Sequence, residues 1–241
     1  WNAPDTVNVG TEVKYMDGSG ETKSVMLPAD SSQLVISDWK LPTKIYYRSS
    51  YKPESHAIDT FRVSYYDSLT VSNLPADKST WKQVLLLGDA VVDAYGTSLS
   101  NIWDGKPGAY PEVYHSDGAY IPHTFTIDLG KTYAKLTKFE EWGRTDFDGH
   151  NPDDFEVWGI ADTTGAVPAL RPDDPGWKDE TMAKGWTLLT EVKRNDDGIA
   201  GVQTDIISNP PPVRFIRIRV LHAVDGDTFS HMSEISFWYN P

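Results

Sequence analysis

The sequence predicts an all-β protein, because apolar and polar residues alternate over many short segments that are separated by turn signals. Aromatic residues make up 12% of the 241 residues, which favours the pleated, half-buried surface of strands. The 18 glycines and 16 prolines supply frequent turns between these segments. Helical patterning is weak and is confined to residues 77–89 and 179–185.

The N-terminal part of the chain predicts a small β-sandwich. Segments 11–16 and 22–27 alternate around a glycine-containing connector and predict a hairpin. Segments 33–39, 44–51 and 59–66 continue the same enrichment in β-branched and aromatic residues. Because the first residues already have the pattern of a strand that is ending, we expect this sandwich to be truncated at its N-terminus.

A domain boundary is predicted at the short, polar, proline-containing segment 72–80. It separates a first domain of residues 1–72 from a second domain of residues 73–241. Long polar loops separate the strands predicted in the second domain, which are 123–130, 155–161, 186–192, 214–221 and 234–239.

The strand predicted at 214–221 has two different faces. Ile216 and Ile218 share one side with Val220, while the side chains of Arg217 and Arg219 point to the other. This alternation is expected of a strand that is buried on one face only.

Charge and composition exclude several classes of function. The net charge of -13 and the pI near 4.8 argue against nucleic acid as a partner, since the chain would repel a phosphate backbone. Without cysteine the chain has no disulfide and no thiolate metal site. Its apolar runs fall short of the roughly 18 residues that a membrane-spanning helix needs.

Sequence motifs of catalysis are missing, and the chain is therefore predicted not to be an enzyme. It contains no GxSxG, HExxH or phosphate-binding glycine loop, and its six histidines are scattered singly. The segment that begins at Asp146 does not fit an EF-hand loop, because Asn151 and Val157 stand where glycine and glutamate are required. A glycosidase remains the less favoured alternative, since paired carboxylates arise by chance among 35 acidic residues.

Six motifs run through the second domain in a fixed order. They are SNIWDGKPGAYPEVYHS (100–116), HTFTIDLGK (123–131), GRTDF (143–147), DDFEVWGIAD (153–162), RFIRIRV (214–220) and SEISFWY (233–239). Together they resemble the discoidin domain, which is also called the coagulation factor 5/8 type C domain. This resemblance implies a jelly-roll β-sandwich, and many sugar-binding members of the family are family 32 carbohydrate-binding modules.

The N-terminal part of the chain, including residues 47–61, is similar to a fibronectin-like module that precedes such domains in surface lipoproteins of Bacteroidetes. The resemblance implies a non-catalytic, carbohydrate-binding protein of a glycan-utilisation system, located at the cell surface or outside the cell. It further implies an outer-membrane lipoprotein whose signal and anchor lie outside this sequence. The expected partners are a glycan and other outer-membrane glycan-uptake proteins, and a structural or docking module of an outer-membrane complex is the alternative.

The family also implies a structural calcium ion, held by Asp104 and Glu234 together with backbone carbonyls. Carboxylates and carbonyls are the oxygen ligands that calcium prefers. Further ligands could come from Ser98, Asn101, Lys106, Asp89 or Asp93. In the alternative, Asp104 closes an Asx-turn and Glu234 pairs with an arginine of a neighbouring strand.

For sugar binding, the resemblance maps four ligand contacts onto Arg144, His150, Asn151 and Phe229. The further candidates for an aromatic or polar wall are Trp142, Phe147, Tyr120, His231 and Trp177. Paired hydrogen-bonding groups beside an aromatic face are what a sugar ring requires.

Each of these side chains has an alternative role within the protein. Arg144 could pair with Asp146 or Asp148, and Asn151, which precedes a proline, could serve a turn. Phe229 could belong to the core, and Trp177 could anchor the loop that carries it rather than offer an exposed platform.

Overall fold

The computed structural model of the chain describes residues 9–31, 33–36, 43–51 and 61–241. The described residues are predominantly β-strand, which confirms the predicted all-β class. The chain divides into two compact units, residues 1–73 and 74–241. No helix in the described part of the chain is long and apolar enough to cross a membrane.

The first unit contains one antiparallel sheet among its described residues. Its strands are β1 (Val9–Met16), β2 (Thr22–Leu27), β3 (Thr43–Tyr51), β4 (Phe61–Arg62) and β5 (Asp67–Val71). β1 lies between β2 and β3, and the other edge of β3 pairs with both β4 and β5. The described strands form one sheet only, so the fibronectin-like sandwich stays a prediction.

The predicted hairpin is confirmed, since Met16 pairs with Thr22 and Thr11 pairs with Leu27. Other expectations for this unit fare less well. Residues 33–36 are not in a strand, and 37–39 lie outside the described residues. Of segment 59–66, only Phe61–Arg62 is a strand and 59–60 lie outside the described residues, while β5 was not predicted.

The second unit is an antiparallel β-sandwich with the predicted jelly-roll architecture. Its elements in chain order are β6 (Leu74–Pro75), β7 (Lys82–Val84), β8 (Tyr114–His115), β9 (His123–Tyr133), β10 (Leu136–Trp142), β11 (Pro152–Ile160), α1 (Trp177–Ala183), β12 (Thr187–Lys193), β13 (Val202–Asp205), β14 (Val213–Ala223), β15 (His231–Met232) and β16 (Glu234–Tyr239). One sheet has the order β12-β11-β14-β9-β7, and the other has the order β13-β10-β16-β6. β8 and β15 form a separate two-stranded ladder.

The strands predicted for this unit are confirmed to within a few residues, but the weak helical pattern over 77–89 does not form an α-helix. That segment forms a 3-10 turn at Lys78–Thr80 followed by β7, because β7 adds to the edge of β9. The weak helical pattern at 179–185 corresponds to α1. Strands β10 and β13 were not predicted as separate elements.

The core lies between the two large sheets. Phe139 of β10 contacts Phe155 of β11 and Phe237 of β16, with ring centroids 6.0 and 5.0 Å apart. Ile216 and Ile218 face this core and are fully buried, as the alternation in β14 predicted.

The opposite face of β14 differs from the prediction, because it is buried too. The segment around α1 covers it, and Trp177 lies over the guanidinium groups of Arg217 and Arg219 at 5.7 and 4.6 Å. Arg217 is fully buried and pairs with Asp89 at 2.9 Å. Both Nε and Nη2 of Arg219 donate to the carbonyl of Pro172. The arginines therefore hold the α1 segment against the sheet.

Candidate functional site

Backbone pairing brings three histidines together at one place in the second unit. His115 and His231 stand directly opposite each other on the two-stranded ladder of β8 and β15. Facing residues of such a ladder bring their side chains together. His150 joins them from the loop between β10 and β11, because its carbonyl accepts the backbone N–H of His231 at 3.1 Å.

We call His115, His150 and His231 the histidine cluster. Their ring centroids lie 5.4 to 5.7 Å apart. One ring nitrogen of each histidine lies within 4.8 Å of one nitrogen of both others. His231 is fully buried, His115 is nearly so, and His150 is partly exposed.

Hydrogen bonds fix the orientation of the two buried rings. His115 Nδ1 donates to the carbonyl of Ser116 at 2.8 Å, and His231 Nδ1 donates to Asn151 Oδ1 at 2.9 Å. Each ring therefore keeps its lone pair on Nε2. His231 Nε2 and His150 Nδ1 are buried and have no hydrogen-bond partner among the described residues.

Asn151 holds the loop rather than facing a ligand, which corrects the role that the resemblance implied. It is fully buried, and its Oδ1 accepts the N–H of Arg144 at 2.8 Å as well as His231 Nδ1. Its Nδ2 donates to the carbonyls of Arg144 and Asp197 at 3.1 and 3.2 Å. All four bonds of the amide are thus made within the protein.

Burial keeps the two buried histidines, His115 and His231, neutral. It lowers the pKa of His115, and it lowers the pKa of His231 to about 3, where repulsion from His115 and Arg144 acts in the same direction. Uncharged imidazoles at neutral pH leave nitrogen lone pairs free to accept or to coordinate.

Four aromatic side chains, Tyr95, Tyr110, Phe147 and Phe229, surround the cluster, and we call them the aromatic rim. Phe147 and Phe229 lie 4.9 and 5.2 Å from the ring of His150. Tyr95 lies 4.9 Å from the ring of His115, and its carbonyl accepts the hydroxyl of Tyr110 at 2.6 Å. Tyr95, Tyr110 and Phe147 are 44 to 58% exposed, so the rim faces solvent.

Arg144 pairs with Asp146, which is the alternative to ligand binding that the sequence left open. Two nitrogens of its guanidinium donate to the two carboxylate oxygens. Nε lies 2.5 Å from Asp146 Oδ1, and Nη2 lies 3.1 Å from Oδ2. This ion pair lowers the pKa of Asp146 to about 2. The guanidinium also lies over the rings of Tyr110 and Phe147, at 5.4 and 5.7 Å, so Arg144 supports the rim.

Three of the predicted ligand residues are engaged elsewhere. Trp177 is fully buried against Trp158 and against the guanidinium groups of Arg217 and Arg219, so it is the anchor of its loop and not an exposed platform. Tyr120 donates its hydroxyl to the carbonyl of Gly88 and lies under Arg171. The ring of Trp142 lies so close to Gly201 that a Cβ there would sit 2.3 Å from it.

The site includes residues that the sequence did not indicate. Besides His115 and the two tyrosines of the rim, Asp225 and Asp227 approach His150 Nε2 at 3.4 and 3.7 Å. Gly149 permits this approach, because a Cβ at that position would lie 2.8 Å from the carboxylate of Asp225.

The predicted calcium ligands Asp104 and Glu234 lie close together, but their surroundings do not fit a calcium ion. Glu234 Oε1 accepts from the ammonium of Lys78, and Oε2 accepts from the N–H groups of Gly105 and Lys106 at 3.0 and 3.2 Å. Asp104 Oδ1 accepts from Lys106 N at 2.8 Å and so closes an Asx-turn. N–H donors and an ammonium use the lone pairs that calcium would need. The pairing alternative fits, with a lysine in place of the expected arginine.

We therefore expect calcium and chelators to leave the melting temperature unchanged, whereas Lys78→Met should lower the free energy of unfolding. Removing the partly exposed ammonium leaves the buried Glu234 carboxylate without its cation, which should cost about 2 kcal/mol. Lys138→Met, which breaks an exposed pair with Asp205, is the control and should cost under about 1 kcal/mol. A calcium-dependent rise in melting temperature would contradict this account.

A pH effect on stability follows from the buried His123. Burial lowers the pKa of His123, whose Nε2 lies 2.8 Å from Ser230 Oγ. The unfolded chain takes up this proton near pH 6.5 and the folded chain does not, so stability falls as the pH drops below about 6.5. The slope due to one histidine is at most about 1.4 kcal/mol per pH unit.

Denaturant titrations between pH 7 and 4.5 should therefore give a shallower slope for His123→Gln than for the unaltered chain. Burial raises the pKa of Glu141 to about 8, which gives the opposite sign, so the test is the difference between the two slopes. His222→Gln is the control, because His222 is exposed. Equal slopes in all three proteins would contradict the prediction.

Comparison with known proteins shows the fold and the family. Residues 103–239 match DUF5000 and residues 1–61 match DUF4998, each described as a domain of unknown function. No curated protein matches the sequence.

Several solved structures resemble the second unit. A SusE-like protein has a TM-score of 0.54 at 24% identity, with 68% of this chain and 99% of that chain covered. A putative chitobiase fragment from Bacteroides thetaiotaomicron has a TM-score of 0.50 at 16% identity, with 69% and 92% covered. The family 32 carbohydrate-binding module of Clostridium perfringens NanJ, solved in complex with galactose, has a TM-score of 0.49 at 16% identity, with 69% and 98% covered.

The first two of these similarities confirm the fold that the resemblance to discoidin domains predicted for the second unit. The DUF5000 match is evidence of family membership, because it extends over more than half of the chain. The chain therefore belongs to the DUF5000 family.

Proposed function

We propose that the second unit binds a glycan, without catalysis, at the aromatic rim and the exposed edge of His150. The observation that carries the proposal is the solvent-facing rim of aromatic rings beside an imidazole and two carboxylates. A sugar presents an apolar ring face, which an aromatic ring can cover, and hydroxyls, which imidazole and carboxylate can bind.

The backbone at the rim supports a binding role. Tyr95 has a φ of 57°, and no other non-glycine residue in the described part of the chain has a positive φ. A bulky residue in this region is strained, and such strain is typically retained at ligand sites. The bond from Tyr110 to the Tyr95 carbonyl holds the strained turn in place.

Within this proposal the rim and the polar groups have separate roles. Phe147 and Phe229 offer faces for stacking, and Asp225 and Asp227 accept hydrogen bonds from sugar hydroxyls. His150 Nε2 lies beside these carboxylates and its ring contacts the aromatic rings, so it can bind a hydroxyl of a stacked sugar ring. Arg144 acts indirectly, since its guanidinium is bound to Asp146.

A glycan array followed by calorimetry with the best ligand tests this site. We expect Phe147→Ala to weaken binding about tenfold, which corresponds to about 1.4 kcal/mol. Phe61→Ala, at a phenylalanine of the first unit that is also exposed, is the control and should leave affinity unchanged. An array without any bound glycan, or equal affinity of Phe147→Ala and Phe61→Ala, would refute the proposal.

We further propose that the protein works at the cell surface within a glycan-utilisation system, anchored as an outer-membrane lipoprotein beside glycan-uptake proteins. Support comes from the fold that it shares with a SusE-like protein and from the glycan site proposed above. Proteolysis of intact cells should degrade the protein, and protection until the cells are lysed would refute a surface location. The proposed lack of catalysis has a separate test, since incubation of the protein with polysaccharides should release no product.

A further inference from the structure

The histidine cluster contains nitrogen atoms that glycan binding at the rim does not use. His231 Nε2 and His150 Nδ1 are buried without a hydrogen-bond partner among the described residues, and hydrogen bonding leaves the lone pair of His115 on Nε2. His231 is fully buried. Buried polar groups in proteins are normally paired, so these nitrogens require a partner.

The outer nitrogens of His115 and His231 are hydrogen-bonded in the way that metal-binding histidines require, and the outer nitrogen of His150 lies beside two carboxylates. His115 Nδ1 donates to a backbone carbonyl, and His231 Nδ1 donates to the amide oxygen of Asn151. His150 Nε2 lies beside the carboxylates of Asp225 and Asp227. A carbonyl, amide or carboxylate on the outer nitrogen orients such a ring and raises the basicity of the inner nitrogen.

We propose that His115, His150 and His231 bind one divalent transition-metal ion through these inner nitrogens. Three imidazoles suit zinc, copper, nickel or cobalt, and not calcium or magnesium, which prefer oxygen. Bonds of about 2.0–2.1 Å to zinc in tetrahedral geometry place ligand nitrogens about 3.3 Å apart. One nitrogen of each ring lies within 4.8 Å of one nitrogen of both other rings, so the three imidazoles are close enough to share one ion after small ring movements.

Three protein ligands leave one tetrahedral position open for water or for another oxygen ligand. The ion would lie beneath the aromatic rim, since Phe229 contacts His115 and His150 at 5.7 and 5.2 Å. The metal site goes beyond the proposed glycan function and does not depend on it, because metal alone is a sufficient probe.

A second group, His150 with Asp225 and Asp227, could hold an ion on the solvent side of the same imidazole. Both carboxylates are exposed, and groups of exposed acids commonly occur without any ion. The three-histidine site is favoured because its nitrogens are buried and unpartnered. The two sites can be separated, since only one of them uses His115.

Cobalt and zinc titrations of the tag-free, chelator-treated chain test the proposal. We expect one Co²⁺ per chain with the intense visible absorption of a four-coordinate ion, and we expect Zn²⁺ to displace it. Zn²⁺ should also raise the melting temperature, because it binds the folded chain.

His115→Gln and His150→Ala should each weaken Co²⁺ binding at least about tenfold. His222→Ala is the control, since this exposed histidine bonds Asp153 and should leave binding unchanged. Far-ultraviolet circular dichroism verifies that each variant is folded, and His150→Ala alters only a partly exposed residue. No uptake of Co²⁺ or Zn²⁺, unchanged binding by folded His115→Gln, or loss of binding in His222→Ala would overturn the proposal.

Discussion

Replacing Asn151 with alanine is expected to lower the free energy of unfolding by about 3 kcal/mol or more and to abolish glycan binding. The amide makes four hydrogen bonds in a fully buried position, to Arg144, Asp197 and His231. Its removal leaves several buried groups unpaired, each of which costs about 1–3 kcal/mol. The loop that carries His150 would then lose its fixed position.

Chemical denaturation of Asn151→Ala measures the loss of stability, and calorimetry measures the loss of glycan binding. Asn195→Ala is the matched control, because Asn195 is exposed in the neighbouring loop. We expect the control to change stability by less than about 0.5 kcal/mol. Stability of Asn151→Ala within about 1 kcal/mol of the unaltered chain would contradict the structural role of this amide.

Replacing Trp177 with alanine is expected to cost about 3–5 kcal/mol, because it empties a large and fully buried site. The indole packs edge-on against Trp158, with ring centroids 5.6 Å apart, and lies over Arg217 and Arg219. Without it, both buried guanidinium groups lose a ring face, and the α1 segment loses one of its contacts with the sheet.

The variant separates stability from binding. Thermal unfolding of Trp177→Ala should begin at a lower temperature, while the glycan affinity of the folded fraction stays unchanged. Leu85→Ala, at a residue that is 75% exposed, is the control for a loss of apolar surface. Reduced glycan affinity in folded Trp177→Ala would contradict its assignment as an anchor.

The sequence predicted the sandwich of the second unit well, because long strands carry a repeated signal. The alternation of apolar and polar residues over Val213–Ala223 and the strand pattern of His123–Tyr133 are long enough to be recognised without the tertiary structure. The edge strand Val202–Asp205 is too short for such recognition. The burial of Arg217 on the outer face could not be predicted from the sequence. It depends on the segment around α1, which covers this face of β14.

The candidate site was predicted only in part. Arg144, His150 and Phe229, which the resemblance indicated as ligand contacts, lie together at the candidate site, and so does the further candidate His231. His115 was missed, because its position depends on a ladder of two-residue strands that leaves no periodicity.

Some predicted roles could not be decided from residue type. The amide of Asn151 serves the loop because its four partners are all protein groups, and this is evident only from the fold. The pairing of Glu234 with Lys78 likewise joins residues far apart in the chain.

The most direct test of the glycan site is a titration of the metal-free chain with the glycan that binds best on the array. The titration is monitored through the imidazole and indole ¹H–¹⁵N NMR signals. We predict that the His150 signals shift and saturate with ligand. The indole signal of Trp186, which donates to the carbonyl of Ala166 within the core, should remain in place. His150 signals that do not move at saturating glycan would contradict binding at the aromatic rim.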